Sequence, residues 1–217
     1  MKELNISYHL DGYSALVNNC MDYNIAGAAS FYDKYFLKLY CAIWSIYMNY
    51  NHDLSLDISK HILEILGLEK CPISLKNEHT VLNDIIKQID DGHPLIFYTN
   101  TSLLFYCVMY LNDKSKNINH SFIINGYDEE KKLLYIKENV INSDMIRTIT
   151  DVQPFSSYTF TYDIFLSIFS ETKIRFTDKD LLYYIKKNND IDKKAIKKML
   201  FSSYLELLNN EKDCLIV

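Results

Sequence analysis

The sequence predicts an α+β protein in which helices pack on an antiparallel sheet. Three observations predict this class. Apolar residues recur at helical spacing through much of the first ninety residues. Near the middle of the chain, two apolar runs flank a short polar connection, and helical spacing returns beyond residue 155. Helices, then an antiparallel sheet, then helices is an order typical of α+β proteins.

The first ninety residues are predicted to be mainly helical. Apolar residues have helical spacing in four stretches: from Cys20 onward, 36–50, 57–66 and 80–90. Gly67 and Gly92 come after the last two stretches, where a glycine commonly ends a helix. Asn18 or Asn19 is the expected N-cap of the first helix, because a side-chain amide can accept from its first free N–H groups.

The later residues complete the predicted layout. The stretches 94–98 and 145–150 are expected to be strands, and 103–111 fits either a strand or a helix. Beyond residue 155, helices are expected at 162–169, 179–187 and 192–208. We therefore predict a main domain of residues 1–155 and a helical extension of residues 156–217 packed on it.

The two central apolar runs predict a hairpin that joins a histidine to an acid. They cover residues 119–128 and 133–138, and the polar residues 128–132 connect them. Counting back from the turn pairs His120 with Glu138, and directly opposed side chains on one face lie about 5 Å apart at Cβ. A shift of one residue would place Lys137 or Asn139 opposite His120 instead.

Composition limits the classes of protein to consider. The net charge of −5 argues against a nucleic-acid-binding protein, which would normally carry a basic domain. No apolar run approaches the roughly 18 residues of a membrane span, and the first residues lack the layout of a signal peptide. A cytoplasmic location is therefore expected. The five cysteines form no CxxC pair, so no metal site is expected.

Cys20 is the best candidate for a nucleophile among the cysteines. It lies in the first turn of a predicted helix, where the helix dipole favours the reactive thiolate. Cys41 and Cys107 lie in apolar runs, Cys71 precedes a proline in an expected loop, and Cys214 is near the C-terminus. A single cysteine at a helix start is more often structural, as is a single histidine at a strand end. Cys20, His120 and Glu138 follow one another in the chain order Cys, His, acid. Together they indicate a catalytic site more strongly than any one of them does alone.

Three segments resemble one branch of the papain-like superfamily. The helix of small residues 20–28, the Gly-x-Pro strand start at 92–96 and the stretch His-(apolar)-Gly-Tyr-Asp at 120–128 match its pattern. This branch contains the double-glycine-leader peptidase-like proteins, which are C39-like peptidases, and the N-terminal domain of the butirosin biosynthesis acyltransferase. The resemblance covers roughly residues 14–150 and implies a papain-like fold.

The resemblance also implies a catalytic site. Cys20 would be the nucleophile, His120 the base, and Glu138 the orienting acid where the branch usually has Asp. The glutamine that precedes the cysteine in papain-like proteases, and helps form their oxyanion hole, is absent. Ser14 stands at that distance, and Asn18 or Asn19 could donate to an oxyanion instead.

The implied chemistry is acyl transfer through an acyl-cysteine. The leading hypothesis moves an acyl group from a carrier-protein thioester to a small amine in secondary-metabolite biosynthesis. The phosphopantetheine would then belong to the carrier protein, and no cofactor of the chain's own is expected. Aromatic residues at 32–50 and 98–110 could line an acyl pocket, although core packing is the commoner role. Six lysines could dock an acidic carrier, or simply form a solvated face: Lys186, Lys187, Lys193, Lys194, Lys197 and Lys198.

Three other functions stay open. The same residues suit a cysteine peptidase or amide hydrolase. The chain could also be a non-catalytic binding module with a degenerate site, or keep only the fold and bind a ligand in its cleft.

Overall fold

Helices cover both faces of an antiparallel sheet in the computed structural model of the chain. The structure describes residues 1–6, 20–50, 58–74, 80–106, 119–138, 156–177, 180–198 and 201. The helices are α1 (Cys20–Ala29), α2 (Phe36–Tyr50), α3 (Ile58–Ile65), α4 (Val81–Asp90) and α5 (Tyr162–Arg175). The strands are β1 (Lys2–Glu3), β2 (Leu68–Pro72), β3 (Leu95–Asn100), β4 (Asn119–Asp128), β5 (Leu133–Glu138), β6 (Ser156–Thr161) and β7 (Leu182–Lys187). The predicted α+β class is confirmed.

The sheet places the predicted hairpin next to its centre. Its order is β2–β7–β3–β4–β5–β6, and each neighbouring pair is antiparallel. The short strand β1 pairs with β4 at Gly126 and Tyr127, beyond the residues of β4 that pair with β3. A Cβ at Gly126 would lie 2.6 Å from the Lys2 carbonyl oxygen, so this approach requires glycine.

Each face of the sheet has its own hydrophobic core, because successive strand residues point to opposite faces. Helices α1, α2 and α3 pack on one face, which we call the α1 face, against Ile96, Ile123 and Ile185. Helices α4 and α5 pack on the other, the α5 face, where Phe97 and Phe122 are fully buried. This alternation later decides which side chains can meet at the site.

The helices of the first ninety residues are confirmed. Helix α1 begins at Cys20, and the next three helices agree with the expected ranges to within a residue. Gly67 and Gly92 come after α3 and α4 with φ of 71° and 79°, a left-handed conformation that favours glycine. The strand expected at 94–98 is also confirmed, as β3.

The helix expected at 179–187 is wrong. This segment contains β7, which lies between β2 and β3. Its residues Leu182 and Ile185 are buried on opposite faces of the sheet, as the period of two in a strand requires. The run Leu-Leu-Tyr-Tyr-Ile-Lys-Lys also suits a helix locally, but two neighbouring strands satisfy its backbone groups here.

Two further assignments need correction. Residues 156–161 form β6, so the expected helical extension contributes two strands, β6 and β7, to the same sheet. The expected boundary at residue 155 therefore does not divide the sheet from the C-terminal residues. Cys71 lies in β2 rather than in a loop.

The helix expected at 162–169 is confirmed as the start of α5.

Several predictions fall wholly or partly outside the described residues. They are the strand at 145–150, residues 107–111 of the ambiguous run, and most of the helix at 192–208. Within that helix, residues 193–198 are helical, and the Asp192 carboxylate accepts from the N–H groups of Lys194 and Ala195. Among the helices that the structure describes, none is long and apolar enough to span a bilayer.

Candidate active site

The hairpin of β4 and β5 forms in a register different from the one counted from the sequence. Ile124 pairs with Ile136, and Gly126 pairs with Tyr135, so Asn125 is an extra residue in β4. The predicted register, which placed His120 opposite Glu138, is therefore wrong by two residues on the His120 side of Asn125 and by three residues on the turn side. The shift of two keeps His120 and Glu138 on one face, because the period of a strand is two.

His120 and Glu138 nevertheless meet. His120 Nε2 is in hydrogen-bonding contact with Glu138 Oε1, and both side chains are fully buried. In the observed register, Glu138 is a diagonal neighbour of His120 on the same face, at a Cβ distance within reach of a long side chain. The extra methylene of glutamate relative to aspartate helps the carboxylate to reach the ring from that position.

Burial controls the protonation of this pair. It lowers the pKa of His120 to about 4 and raises the pKa of Glu138 well above its usual value, because a buried charge loses its hydration. The two groups together therefore hold one proton over a wide range of pH. Among the described residues, His120 Nδ1 and Glu138 Oε2 have no hydrogen-bond partner. Nδ1 is the ring nitrogen that the contact with Glu138 leaves unpaired.

Cys20 lies against the first residues of β4. Its Sγ is 3.7 Å from the Asn119 carbonyl oxygen, to which the thiol can donate. Burial raises the pKa of the thiol, whereas hydrogen bonds from the Ser121 hydroxyl and from backbone N–H groups of Ser121, Met21 and Cys20 oppose that rise. The thiol therefore contacts Asn119, the residue that precedes His120 in the chain.

Cys20 and His120 project toward opposite faces of β4. Ser121, whose hydroxyl accepts from Asn24 Nδ2 of α1, lies on the α1 face, so its neighbour His120 points to the α5 face. Thr99 pairs with His120 across β3 and β4, and its hydroxyl bonds Thr172 of α5, in agreement with this assignment. No hydrogen bond joins Cys20 to His120 within the described structure.

The other predicted site residues divide between described and undescribed parts of the chain. Ser14, Asn18 and Asn19, the candidates for the oxyanion hole, lie outside the described residues, as do Cys107 and Cys214. The remaining cysteines, Cys41 and Cys71, are buried. No cluster of three His, Cys, Asp or Glu side chains suited to a metal ion occurs in the described ranges.

The expected lysine surface is divided between two elements. Lys186 and Lys187 lie on β7, and each has a nearby acid: Lys186 Nζ is 3.1 Å from Glu69 and Lys187 Nζ is 3.1 Å from Asp190. Lys193, Lys194, Lys197 and Lys198 belong to the helical residues 193–198. The lysines of β7 therefore offer less free positive charge than a continuous helical face would.

Aromatic side chains gather on the α5 face. Tyr106 stacks on Tyr158 with ring centroids 4.3 Å apart, and both rings pack against the core that contains Phe160. Tyr158 pairs with Ile136, two residues from Glu138, and its side chain lies on the same face. This group includes Phe105 and Tyr106 of the aromatic segment 98–110 that the sequence suggested as a pocket lining.

Sequence reasoning missed Ser121 and Asn24. Asn24 is one turn after Cys20 in α1, and its Nδ2 donates to the Ser121 carbonyl oxygen at 2.6 Å and to Ser121 Oγ at 3.0 Å. The position of Ser121 directly after His120 is the one signal that could have indicated it. Its contact with Asn24 depends on how α1 lies across β4.

Comparison with known proteins identifies one family. The model of the Peptidase_C39 like family matches residues 14–162, more than half of the chain. Among solved structures, a Bacillus anthracis protein designated a C39-like peptidase is 11% identical, with a TM-score of 0.47 over 87% of this chain and 100% of that chain. This likeness is too weak to support an argument. No curated protein matches the sequence.

Proposed function

We propose that this chain, which belongs to the Peptidase_C39 like family, is a cysteine enzyme that forms an acyl-cysteine intermediate. One observation carries the proposal: His120, which Glu138 holds and whose Nδ1 has no hydrogen-bond partner among the described residues, directly follows Asn119, whose carbonyl oxygen contacts the Cys20 thiol. A thiol, an imidazole and a carboxyl group are the parts that acyl transfer requires.

The proposed reaction has two steps. His120 accepts the proton of the Cys20 thiol, the thiolate attacks an acyl carbonyl, the bond from that carbon to the leaving group breaks, and His120 returns the proton to the leaving group. Water or an amine then attacks the acyl-cysteine, His120 accepts its proton, and the thiolate leaves. For these proton transfers, His120 has to present Nδ1 to Cys20 Sγ, while Glu138 holds the opposite ring nitrogen.

Within this class, we propose a carrier-protein thioester as the donor and a small amine as the acceptor, in secondary-metabolite biosynthesis. Support comes from the sequence resemblance to the branch that contains the butirosin biosynthesis acyltransferase. The phosphopantetheine arm would enter as part of the carrier protein. The lysines of residues 193–198 would be one surface for an acidic carrier.

The test is to trap the acyl-enzyme. The intact protein is mixed with an acyl-pantetheine thioester, and its mass is measured within seconds. We expect a gain equal to one acyl group in the wild type and none in Cys20→Ala. Cys71→Ala is the matched control, because Cys71 is a buried thiol on the far edge strand β2. His120→Ala should slow acylation by at least a hundredfold, since general base catalysis contributes about 10²–10⁴.

The outcomes separate the candidate functions. A gain that persists in Cys20→Ala would contradict the proposal. Acylation by peptide substrates alone would favour the peptidase and overturn the carrier-thioester donor. The product formed after adding an amine then distinguishes transfer from hydrolysis.

A non-catalytic binding module is the second candidate, and one observation favours it. Cys20 and His120 lie toward opposite faces of β4, and among the described residues no hydrogen bond joins them. A binding module would give no mass gain with either donor, and its ligand affinity would survive Cys20→Ala.

A further inference from the structure

Asn100 is the last residue of β3, and its side-chain amide is hydrogen-bonded at one end only. Asn100 Oδ1 accepts from the Ser102 N–H at 2.9 Å and so caps the short 3₁₀ helix of Thr101–Leu103. A backbone N–H must meet an acceptor, so this bond fixes which end of the amide is the oxygen. The Nδ2 end is buried and has no hydrogen-bond partner among the described residues.

The unpaired donor distinguishes Asn100 from the other buried asparagines of the described ranges. Asn24 and Asn125 both donate from Nδ2 and leave Oδ1 unpaired, whereas Asn100 leaves Nδ2 unpaired. An unpaired buried N–H destabilises a folded protein, because the group has lost its hydrogen bonds to water. Such a group in a native structure requires a specific explanation, of which a catalytic role is one.

The strand pairing places Asn100 at the same end of the sheet as the Cys20 sulfur. Asn100 lies directly opposite Asn119 where β3 pairs with β4, and the Asn119 carbonyl oxygen is 3.7 Å from Cys20 Sγ. Thr99 bonds Thr172 of α5, so the next side chain, that of Asn100, projects toward the α1 face. Helix α1, which begins at Cys20, packs on this face. The unpaired donor and the nucleophile therefore share one face and one end of the sheet.

A fixed donor beside the nucleophile suits the oxygen of a carbonyl under attack. When a thiolate adds to the carbonyl carbon, one electron pair of the C=O bond moves to the oxygen and gives it a negative charge. A hydrogen bond from a preorganised, desolvated N–H stabilises this charge more than it stabilises the neutral carbonyl. The electron pair returns to the C=O bond when the bond to the leaving group breaks, so the donor neither gains nor loses a proton.

We propose that Asn100 is a catalytic residue whose Nδ2 donates to the oxyanion formed when Cys20 attacks an acyl carbonyl. The first backbone N–H groups of α1, which have no acceptor within the helix, are the second source of donors. The proposal places the side-chain donor on β3 rather than before Cys20, where the sequence suggested Ser14, Asn18 or Asn19. This role rests on the acyl-cysteine function proposed above.

Two reactions of the Cys20 thiolate separate this role from a structural one. 4-Nitrophenyl acetate acylates the sulfur through an oxyanion, whereas iodoacetamide alkylates it by displacement and forms none. Both rates are measured at pH 8 on the full chain, by mass spectrometry of the Cys20 peptide from acid-quenched samples. In Asn100→Leu, we expect acylation to slow about a hundredfold, as when one oxyanion donor is lost, and alkylation to stay within about twofold of the wild type.

Two further variants complete the design. Asn100→Asp keeps the acceptor for the Ser102 N–H, but its carboxylate has no proton to donate. Acylation should therefore slow in Asn100→Asp at least as much as in Asn100→Leu. Asn125→Leu is the matched control, because Asn125 is an equally buried asparagine whose amide donates to the Leu4 carbonyl oxygen beside β1. Both of its rates should equal those of the wild type, and circular dichroism checks that each variant is folded.

Two results would overturn the proposal. One is a loss of acylation smaller than about tenfold in Asn100→Leu. The other is an equal loss of acylation and alkylation, which would make Asn100 a support for the Cys20 thiol rather than a donor to the substrate. If Asn100→Leu does not fold, the same two criteria apply to Asn100→Asp.

The activated ester also keeps this test separate from that of the enzymatic function. A chain that accepts no carrier thioester and no peptide can still show the predicted loss of acylation by 4-nitrophenyl acetate. Failure of the enzymatic proposal is thus distinguishable from failure of this one.

Discussion

Replacing Glu138 with Gln should make the free energy of unfolding depend on pH through the burial of His120. Burial lowers the pKa of His120 from 6.5 to about 4, so between these values the unfolded chain binds a proton that the folded protein does not. This alone makes the folded protein lose stability as pH falls. Each pH unit in which the two states differ by one proton changes the free energy of unfolding by about 1.4 kcal/mol.

Glu138 opposes this effect in the wild type. Burial raises its pKa well above 4.5, so above pH 4.5 the folded protein keeps a proton that the unfolded chain has lost. The Glu138 contribution therefore grows as pH falls. Between about pH 4.5 and 6.5 both states of the pair hold one proton, and the opposing effects of His120 and Glu138 cancel.

Glu138→Gln removes the opposing effect and keeps a hydrogen-bonding group beside His120. From pH 6.5 to pH 4.5, the variant should lose about 2.5 kcal/mol of stability relative to the wild type. Urea unfolding at pH 4.5, 5.5 and 6.5 measures this difference. Glu69→Gln is the control: the pKa of Glu69 is lowered by hydrogen bonds from Asn188 and Lys186, so it stays ionised in both states near pH 6. If the free energy of unfolding changes equally with pH in Glu138→Gln and in the wild type, the reasoning is refuted.

Two further substitutions test the packing around the site. Gly126→Ala should cost about 2 kcal/mol in urea unfolding, because the new Cβ would lie 2.6 Å from the Lys2 carbonyl oxygen; a loss below about 0.5 kcal/mol would contradict the close approach of β1. Tyr40→Phe should also cost about 2 kcal/mol, because it removes the hydroxyl that donates to the buried Asp22 carboxyl group at 2.8 Å. Tyr35→Phe, at an exposed ring, should change stability by less than about 0.5 kcal/mol, and equal losses in the two tyrosine variants would argue against the bond to Asp22.

The contact between His120 and Glu138 was predictable from nearby sequence only in part. The two apolar runs and their polar turn were enough to predict the hairpin and the shared face. The register was wrong because Asp128 pairs with Leu133 at the turn, three residues beyond its expected partner, and the extra residue at Asn125 then reduces the error to two. That residue lies where β1 joins β4, and the Asn125 amide donates to the Leu4 carbonyl oxygen at 3.0 Å. The residue that bulges from β4 is therefore hydrogen-bonded to a residue more than a hundred positions away in the chain.

The strand β7 also could not be identified from its own sequence pattern. Its sequence alternates too weakly to separate a strand from a helix, and neighbouring helical patterns favoured the wrong choice. Its hydrogen bonds to β2 and β3 decide the structure, and both partners precede it by about ninety residues or more. Local propensity is a weak guide where tertiary pairing supplies the backbone partners.

Local sequence patterns were enough to predict the α+β class, the helix that begins at Cys20, and the face shared by His120 and Glu138. Each is a consequence of local periodicity or turn chemistry, which act over a few residues. Tertiary packing, in contrast, brings the Asn119 carbonyl oxygen, rather than His120, into contact with the Cys20 thiol. That contact depends on how α1 crosses β4, which the burial of apolar side chains on the α1 face fixes over a separation of a hundred residues.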